Sequence, residues 1–356
     1  MTIATTSTNR VKDFRQARGW SQLELAERTG ISRSGISAIE SHRLVPSVDA
    51  ALQLARAFEC TVEALFATEA PAVHAVWAWQ PTLFPCRYWL GEVSGRVLAY
   101  PVEASLASAS LADDSALQAG APLHATDLAQ RTLVLATCDP AAHWLAQLYQ
   151  QQSPFRLLVL SRSSGQSLDL LTENLVHVAG VHLARVGERK DNSAILRDRL
   201  PAGDWHVVRV AQWQEGLATS KRVSIRSLKQ ATSQSLRWVG RLPSAGARRC
   251  QDELLSGRKS PPRTALDHRG VVEAIRNEWA DAGICLRLTS DEAQLPFLPI
   301  CEEQYDLCFS QRLTSDPRIV ALLQTLRSSE YRQLLAQLPG YRAVDTGETE
   351  KLTGTL

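Results

Sequence analysis

The chain has 356 residues, with 39 Lys and Arg against 37 Asp and Glu, a formal net charge of +2 and 44% apolar residues. That length predicts two or three domains with ample core, and the near-neutral balance excludes a polycation that coats nucleic acid. Any DNA contact must come from a local surface. The polar start MTIATTSTNR has no apolar leader run, and no stretch approaches the roughly twenty apolar residues of a membrane span. A cytoplasmic protein without membrane contact is expected. Seven scattered cysteines with no Cys-x-x-Cys pair point to a reducing compartment, with neither disulfides nor a metal site expected.

Residues 1–9 read as a disordered arm. Val11, Phe14 and Ala17 share one face of a first helix, which Gly19 ends. Ser21 with Glu24 three residues on is a capping-box pattern for a second helix, and Thr29-Gly30 closes it. Ser32 caps a third, whose Ile36 and Ile39 fall on one face while Arg33, Ser34, Gly35, Ser37 and Ala38 leave the other small and polar. Such a helix suits the DNA major groove. The turn Ser41-His42-Arg43 follows it, Pro46-Ser47 opens a fourth helix with Leu52, Ala55 and Phe58 inward, and Thr61 caps a fifth.

These residues resemble the Cro/repressor (XRE) helix-turn-helix family over 10–67, an all-α five-helix domain. The resemblance rests on Ser21-Gln22, Leu25-Ala26, Gly30-Ile31-Ser32, Ile36, Ile39-Glu40, Pro46, Leu54 to Phe58 and Val62 to Phe66. It implies double-stranded DNA as partner, Gln22 on a backbone phosphate and Ser32, Arg33, Ser34, Ser37 and Ala38 at the positions facing base edges. Arg43 is placed to touch phosphate. Arg33 either pairs bidentately with guanine or meets phosphate alone. Gly35 departs from helix preference, either to allow close approach to DNA or as a tolerated residue.

Residues 68–130 change character. Five prolines rule out long helices, while Cys86 to Leu90 and Arg96 to Val102 read as strands around the turn Glu92 to Gly95. A small β element acting as a linker is expected. Trp77, Trp79 and Trp89 either bind an aromatic ligand or pack against the following domain.

From Thr132 strand and helix alternate. Strands at Thr132 to Ala136, Leu157 to Leu160 and Val178 to Leu183 flank helices at Pro140 to Tyr149 and Gln166 to Leu175, a βαβαβ run that implies a parallel sheet. Ligands of such sheets bind beyond the strands' carboxyl ends. There stand Cys138-Asp139-Pro140, Ser161 to Gly165 and His182. Hydroxyls and free amides at helix starts make a ready anion site, and no Gly-x-Gly-x-x-Gly or Walker lysine motif supports a nucleotide. A second α/β segment follows, with strands at Leu236 to Val239 and Asp281 to Leu286, a helix through Leu255 and another from Arg269 to Ala280. Phe297 to Ile300 and Tyr305 to Phe309 lead back, and helices at Pro317 to Leu326 and Ser329 to Leu338 close the domain.

This layout resembles the PBP-like domain related to type II, molybdate-type periplasmic substrate-binding proteins. The matching pieces are Cys138-Asp139-Pro140, Ser163-Ser164-Gly165, Val178 to Leu183, Gln214 to Leu217, Gly246-Ala247-Arg248, Ala280 to Gly283, Glu303 to Leu307 and Leu338 to Tyr341. The resemblance implies a two-lobed α/β domain at 131–347, with one lobe at 131–215 and 301–347, the other at 216–300, and a tail at 348–356. It implies a small oxyanion (molybdate or tungstate), pterin-type or organic anion as effector, with no cofactor. The implied ligand residues are Cys138, Asp139, Ser163, Ser164, His182, Gly246, Arg248 and Tyr305. Ser244-Ala245-Gly246 stands where Gly-Ser-Gly is usual, and Ser220-Lys221-Arg222 where Gly-Asn-Pro is usual, so the ligand can differ from the family's.

Alternatives stay open for several residues. Ser163 and Ser164 can cap a helix, Arg248 can pair with Asp252, and His182 can be a core histidine. Cys138 at a helix start would have a lowered thiol pKa and suit a redox sensor, or with His143 and His182 a nucleophile pair. No orienting third residue or oxyanion motif accompanies that pair, and an enzyme is not expected. The expected whole is a homodimeric, ligand-responsive transcription regulator; the alternative is a ligand-free corepressor in which the two-lobed domain only dimerises.

Overall fold

The computed structural model describes residues 9–66, 74–103, 112–120, 123, 127–256 and 258–353. The expected arm at 1–9 lies outside them save Asn9, as do residues 104–111 of the Ala/Ser-rich stretch from 104 to 120. The chain divides into two compact units, Met1–His74 and Ala75–Leu356.

The first unit holds α1 (Val11–Ala17), α2 (Gln22–Thr29), α3 (Arg33–Glu40), α4 (Val48–Ala57) and α5 (Val62–Phe66). Its boundaries follow from local chemistry. The Ser21 hydroxyl accepts from the Glu24 amide while the Glu24 carboxylate accepts from the Ser21 amide, which starts α2. Gly30 ends it in the left-handed region at φ 70°. Ser32 and Ser47 cap α3 and α4. Val11, Leu25, Ile36, Ile39, Leu54, Phe58 and Leu65 form one core. Burying such side chains contributes about 1.5–3 kcal/mol each, which offsets the weak intrinsic helicity of helices this short.

The second unit begins with β1 (Val76–Trp77), β2 (Cys86–Val93), β3 (Arg96–Pro101) and β4 (Asp114–Ala116), a four-stranded sheet in the order β1-β3-β2-β4. The hairpin is where the sequence placed it, but the sheet is no free linker. Trp89, Val93, Leu98 and Tyr100 share a core with Val134, Leu158 and Leu160 of the next strands. Arg156 pairs with Asp113 at 2.5 Å and donates to the Leu90 carbonyl. The tryptophans serve packing: Trp89 is buried, Trp77 lies edge-on to Tyr88 and Trp79 to Tyr100.

The chain continues through β5 (Thr132–Thr137), α6 (Ala142–Gln152), β6 (Arg156–Ser161), α7 (Ser164–Thr172), β7 (Val178–Val181), α8 (Asn192–Arg199) and β8 (Asp204–Thr219). Then come α9 (Leu228–Ser233), β9 (Trp238–Arg241), α10 (Ala247–Leu254), β10 (Arg263–Ala265), α11 (His268–Arg276), β11 (Ala282–Leu286), α12 (Arg287–Glu292) and β12 (Phe297–Ser310). Helices α13 (Pro317–Arg327) and α14 (Ser329–Gln337) and strands β13 (Tyr341–Arg342) and β14 (Thr349–Thr353) complete it.

One ten-stranded sheet runs β10-β9-β11-β8-β12-β7-β5-β6, with β13 and β14 also on β8. β5 is parallel to β6 and β7, as the βαβαβ reading requires. β8 and β12, 16 and 14 residues long, pair antiparallel and carry the sheet from one lobe into the other. β14 occupies the segment expected as a tail and pairs Thr349 with Val208. No helix among the described residues is long and apolar enough to cross a membrane.

Candidate functional site

Two places concentrate unspent polar chemistry. The first is the outer face of α3. Ser32, Arg33 and Ser34 are exposed at its start, Ser37 and Ala38 are half-buried, and Ile36 and Ile39 are buried beneath. At Gly35 a Cβ would be tight, 3.0 Å from Ile31 Cγ2 and 3.1 Å from the capping Ser32 Oγ. Gln22 is not free in this structure. Its amide donates to Glu40 Oε2 at 2.9 Å, and Glu40 also takes Arg15 Nε at 2.6 Å. This buried carboxylate ties α1, α2 and α3 together. Arg43 is exposed and donates from Nε to Ser41 Oγ at 2.9 Å.

The second is the cleft between the lobes, at the carboxyl ends of β5, β7 and β9. Here the lobes touch. Ser163 Oγ donates to Ser244 Oγ at 2.8 Å, and the Gly165 amide donates to the Ser244 carbonyl at 3.1 Å. Gly246 lies on His182. Around these contacts are side chains buried without partners. Among the described residues, Arg241 Nε and Nη1, both ring nitrogens of His268, His182 Nε2 and both carboxyl oxygens of Glu215 make no hydrogen bond. Arg241 and His268 are each 1% exposed. Arg241 ends β9 opposite Ala265 of β10, three residues before His268 opens α11.

The histidines differ in charge. Burial pulls the His182 imidazole down, but the charges of Cys138 and Glu303 outweigh it and hold the ring well above its ordinary value. Its Nδ1 lies 2.5 Å from Glu303 Oε2, and its ring packs edge-on to Trp213 at 5.0 Å. Burial, then the Arg241 charge, keep His268 well below the ordinary value, hence neutral. Burial, then the Glu303 charge, pushes the Glu215 carboxyl well above its ordinary value. One ligand atom each from Cys138, His182 and His268 lie within 4.8 Å of one another. Beside them a cavity of about 30 Å³, lined by Thr137, Cys138, His143, Ser161 and His268, has room for a water-sized group.

Several expected ligand residues are committed elsewhere. Arg248 pairs with Asp252 at 2.7 Å and donates to the Arg241 carbonyl and Ser260 Oγ, so the helix-pair alternative describes it. Tyr305 is buried beneath the cleft, 2.6 Å from Thr137 Oγ1 and stacked on Trp213 at 4.5 Å. Asp139 is buried and accepts from the Ala141 amide at 2.8 Å and the Tyr341 hydroxyl at 2.6 Å. Ser164 accepts from the His182 amide at 3.2 Å, and Ser163 caps α7. Cys138, His182 and Gly246 do meet in the cleft. Arg241, His268, Glu303 and Glu215 went unrecognised in the sequence.

Comparison with known proteins agrees with this architecture. The family described as PBP superfamily domain matches residues 145–327, half of the chain. The chain belongs to the PBP superfamily. Ahead of its PBP domain, a helix-turn-helix family matches residues 11–65. YvgK of Bacillus subtilis (strain 168) is 23% identical over 207 residues, 56% of this chain and 66% of that protein. The uncharacterized HTH-type transcriptional regulator YgzD of the same organism is 40% identical over 58 residues, 16% of this chain and 88% of that protein. Among solved structures, a putative phosphate ABC transporter substrate-binding protein with bound phosphate from Clostridium perfringens aligns with TM-score 0.47 at 10% identity, covering 58% of this chain and 97% of that one. A tungstate ABC transporter protein from Geobacter sulfurreducens aligns with TM-score 0.44 at 13% identity, covering 58% and 97%. The chain thus joins a DNA-binding regulator domain to a PBP-type binding domain.

Proposed function

We propose that this chain is a one-component transcription regulator whose PBP domain closes on a small anion held between its lobes. The observation that carries the reading is Arg241. With Nε and Nη1 unpaired among the described residues, its buried guanidinium carries a desolvation cost of several kcal/mol. An oxyanion, a pterin-type ligand with an acidic group or an organic anion would repay it by taking the Arg241 donors in a water-poor site. Neutral His268 can donate or accept beside it. Double-stranded DNA is the partner of the first unit, engaged by a homodimer in the cytoplasm, because one small helix-turn-helix module makes limited specific contact.

Regulation requires the anion to bind the two DNA-binding states with different affinities. The test is a melt of the full chain against molybdate, tungstate, phosphate, pterins and organic acids, followed by operator titration with any hit. A ligand at one hundred times its dissociation constant adds about 2.7 kcal/mol, or roughly 5–10 °C for a domain of this size. The reading fails if no anion shifts the melt, or if a shifting anion leaves operator affinity unchanged. The first failure favours the ligand-free corepressor.

A further inference from the structure

The cleft holds more than an anion's counter-charge. Cys138 stands just past β5, His182 just past β7, and His268 at the start of α11 in the other lobe. All three are buried, and one ligand atom from each falls within 4.8 Å of the other two. No short spacing joins positions 138, 182 and 268, so the fold alone assembles them. We propose that Cys138, His182 and His268 form a binding site for a zinc-class divalent ion that bridges the two lobes.

Four observations support it. First, the donor set is soft: one sulfur and two imidazoles suit a zinc-class ion and disfavour magnesium or calcium, which take oxygen. Second, the imidazole nitrogens are left without partners. His182 Nε2 and both His268 nitrogens have no partner among the described residues, although buried imidazoles ordinarily find one. Third, the outer partner is already in place. His182 is held through Nδ1 by the Glu303 carboxylate at 2.5 Å, the arrangement that orients a metal-ligating histidine and raises its basicity. Trp213 Nε1 lies 3.5 Å from the same carboxylate oxygen and fixes it further. Fourth, the spacing is close. Zn–N of about 2.0 Å and Zn–S of about 2.3 Å place tetrahedral ligand atoms about 3.5 Å apart, within a small side-chain adjustment of the observed cluster.

His182, Glu215 and Glu303 form a second cluster within the same distance. It is the poorer candidate, because Glu303 already occupies His182 Nδ1. Charge also balances at the first cluster. A Cys138 thiolate and the Glu303 carboxylate offset a divalent ion, which leaves Arg241 to be offset by an anion at the fourth coordination position. Only that fourth position rests on the anion reading above; the three protein ligands do not.

The experiment is a titration of the reduced, metal-free full chain with Co²⁺, followed by displacement with Zn²⁺. One equivalent should bind, with a thiolate-to-cobalt charge-transfer band and tetrahedral d–d bands that Zn²⁺ abolishes. Cys138→Ser should remove the charge-transfer band. His268→Gln should lower affinity at least tenfold, and Glu303→Gln about 10–100-fold with the band retained. Melts without metal show whether each variant is folded, and the wild-type spectrum decides the matter should a variant fail to fold. Absence of a thiolate–cobalt band in the wild type overturns the site, as does unchanged binding in a folded Cys138→Ser, His268→Gln double variant. An anion-induced melt shift in metal-free chain without cobalt binding sinks the metal and spares the anion reading. One-equivalent cobalt binding with no anion shift does the reverse.

Discussion

Gly246 of one lobe lies directly against His182 of the other: a Cβ at position 246 would collide with the His182 carbonyl and come within 2.6 Å of its ring atom Cε1. Gly246 has φ −54°, so any residue can adopt its backbone, and space alone demands glycine. Gly246→Val should therefore wedge the lobes apart without unfolding either one. Small-angle scattering should show a larger radius of gyration for the variant, and any anion-induced melt shift should disappear. An unchanged radius together with an unchanged ligand shift would show that this contact does not govern closure.

Arg241 sets stability against function. It is 1% exposed, with Nε and Nη1 unpaired, so the domain carries the desolvation cost of its charge. Arg241→Met keeps much of the side-chain volume and removes the charge. The ligand-free variant should gain about 1–4 kcal/mol, at about 2–4 °C per kcal/mol, and should no longer respond to anions. A destabilised variant would show that Arg241 has a structural partner; a stabilised one that still responds would move the anion site elsewhere.

Much of this architecture was legible locally. The Ser21–Glu24 capping box, Gly30 exit and Ile36/Ile39 face are short-range signals, and each stands where the sequence placed it. The β5–α6–β6–α7–β7 run was equally clear, because alternating apolar runs and helix caps repeat within a few dozen residues. The cleft was less legible. The family resemblance implies Arg248 as a ligand residue, with a pair to Asp252 as the alternative, and Asp252 one turn on does neutralise it. Arg241 lies beyond the strand expected at Leu236 to Val239, and only the pairing of β9 with β10 and β11 buries it. Burial without a partner is a three-dimensional property, and no spacing in the chain encodes it. The packing of the four-stranded sheet was hidden for the same reason: Asp113 and Arg156, 43 residues apart, join it to the first lobe.

Asp139 should make stability depend on pH. Burial raises its pKa from 3.8 to about 6, against the hydrogen bonds from Tyr341 and Ala141 that lower it. A carboxyl with a raised folded-state pKa favours folding fully below its unfolded pKa, and that contribution is lost as pH rises through the folded value. The span of about two units corresponds to about 3 kcal/mol. Asp139→Asn retains the Oδ1 acceptor for both donors and cannot ionise. Urea melts should show the native chain losing stability between about pH 4 and pH 6 relative to the variant, and the variant more stable at pH 7. Parallel curves across that range would mean Asp139 titrates normally.

The face of α3 yields a prediction that separates reading from holding. Arg33 is exposed on the first turn of the helix between the exposed Ser32 and Ser34, whereas Arg43 lies beyond the helix end and is steadied by Ser41. A side chain on the first turn of a recognition helix reaches base edges, and one on the following turn reaches the backbone. On an operator selected from random duplexes, Arg33→Ala should cost about 1–3 kcal/mol and relax preference at one base pair. Arg43→Ala should weaken all sequences alike and lower the salt slope by about one. Anisotropy titrations on matched and single-mismatch duplexes at two salt concentrations separate these effects. A uniform loss for Arg33→Ala, with every mismatch penalty intact, would assign Arg33 to phosphate and leave base reading to Ser32, Ser34, Ser37 and Ala38. Gln22→Ala offers a control, because its amide serves Glu40: it should lower the first unit's melting temperature while leaving the mismatch penalties unchanged.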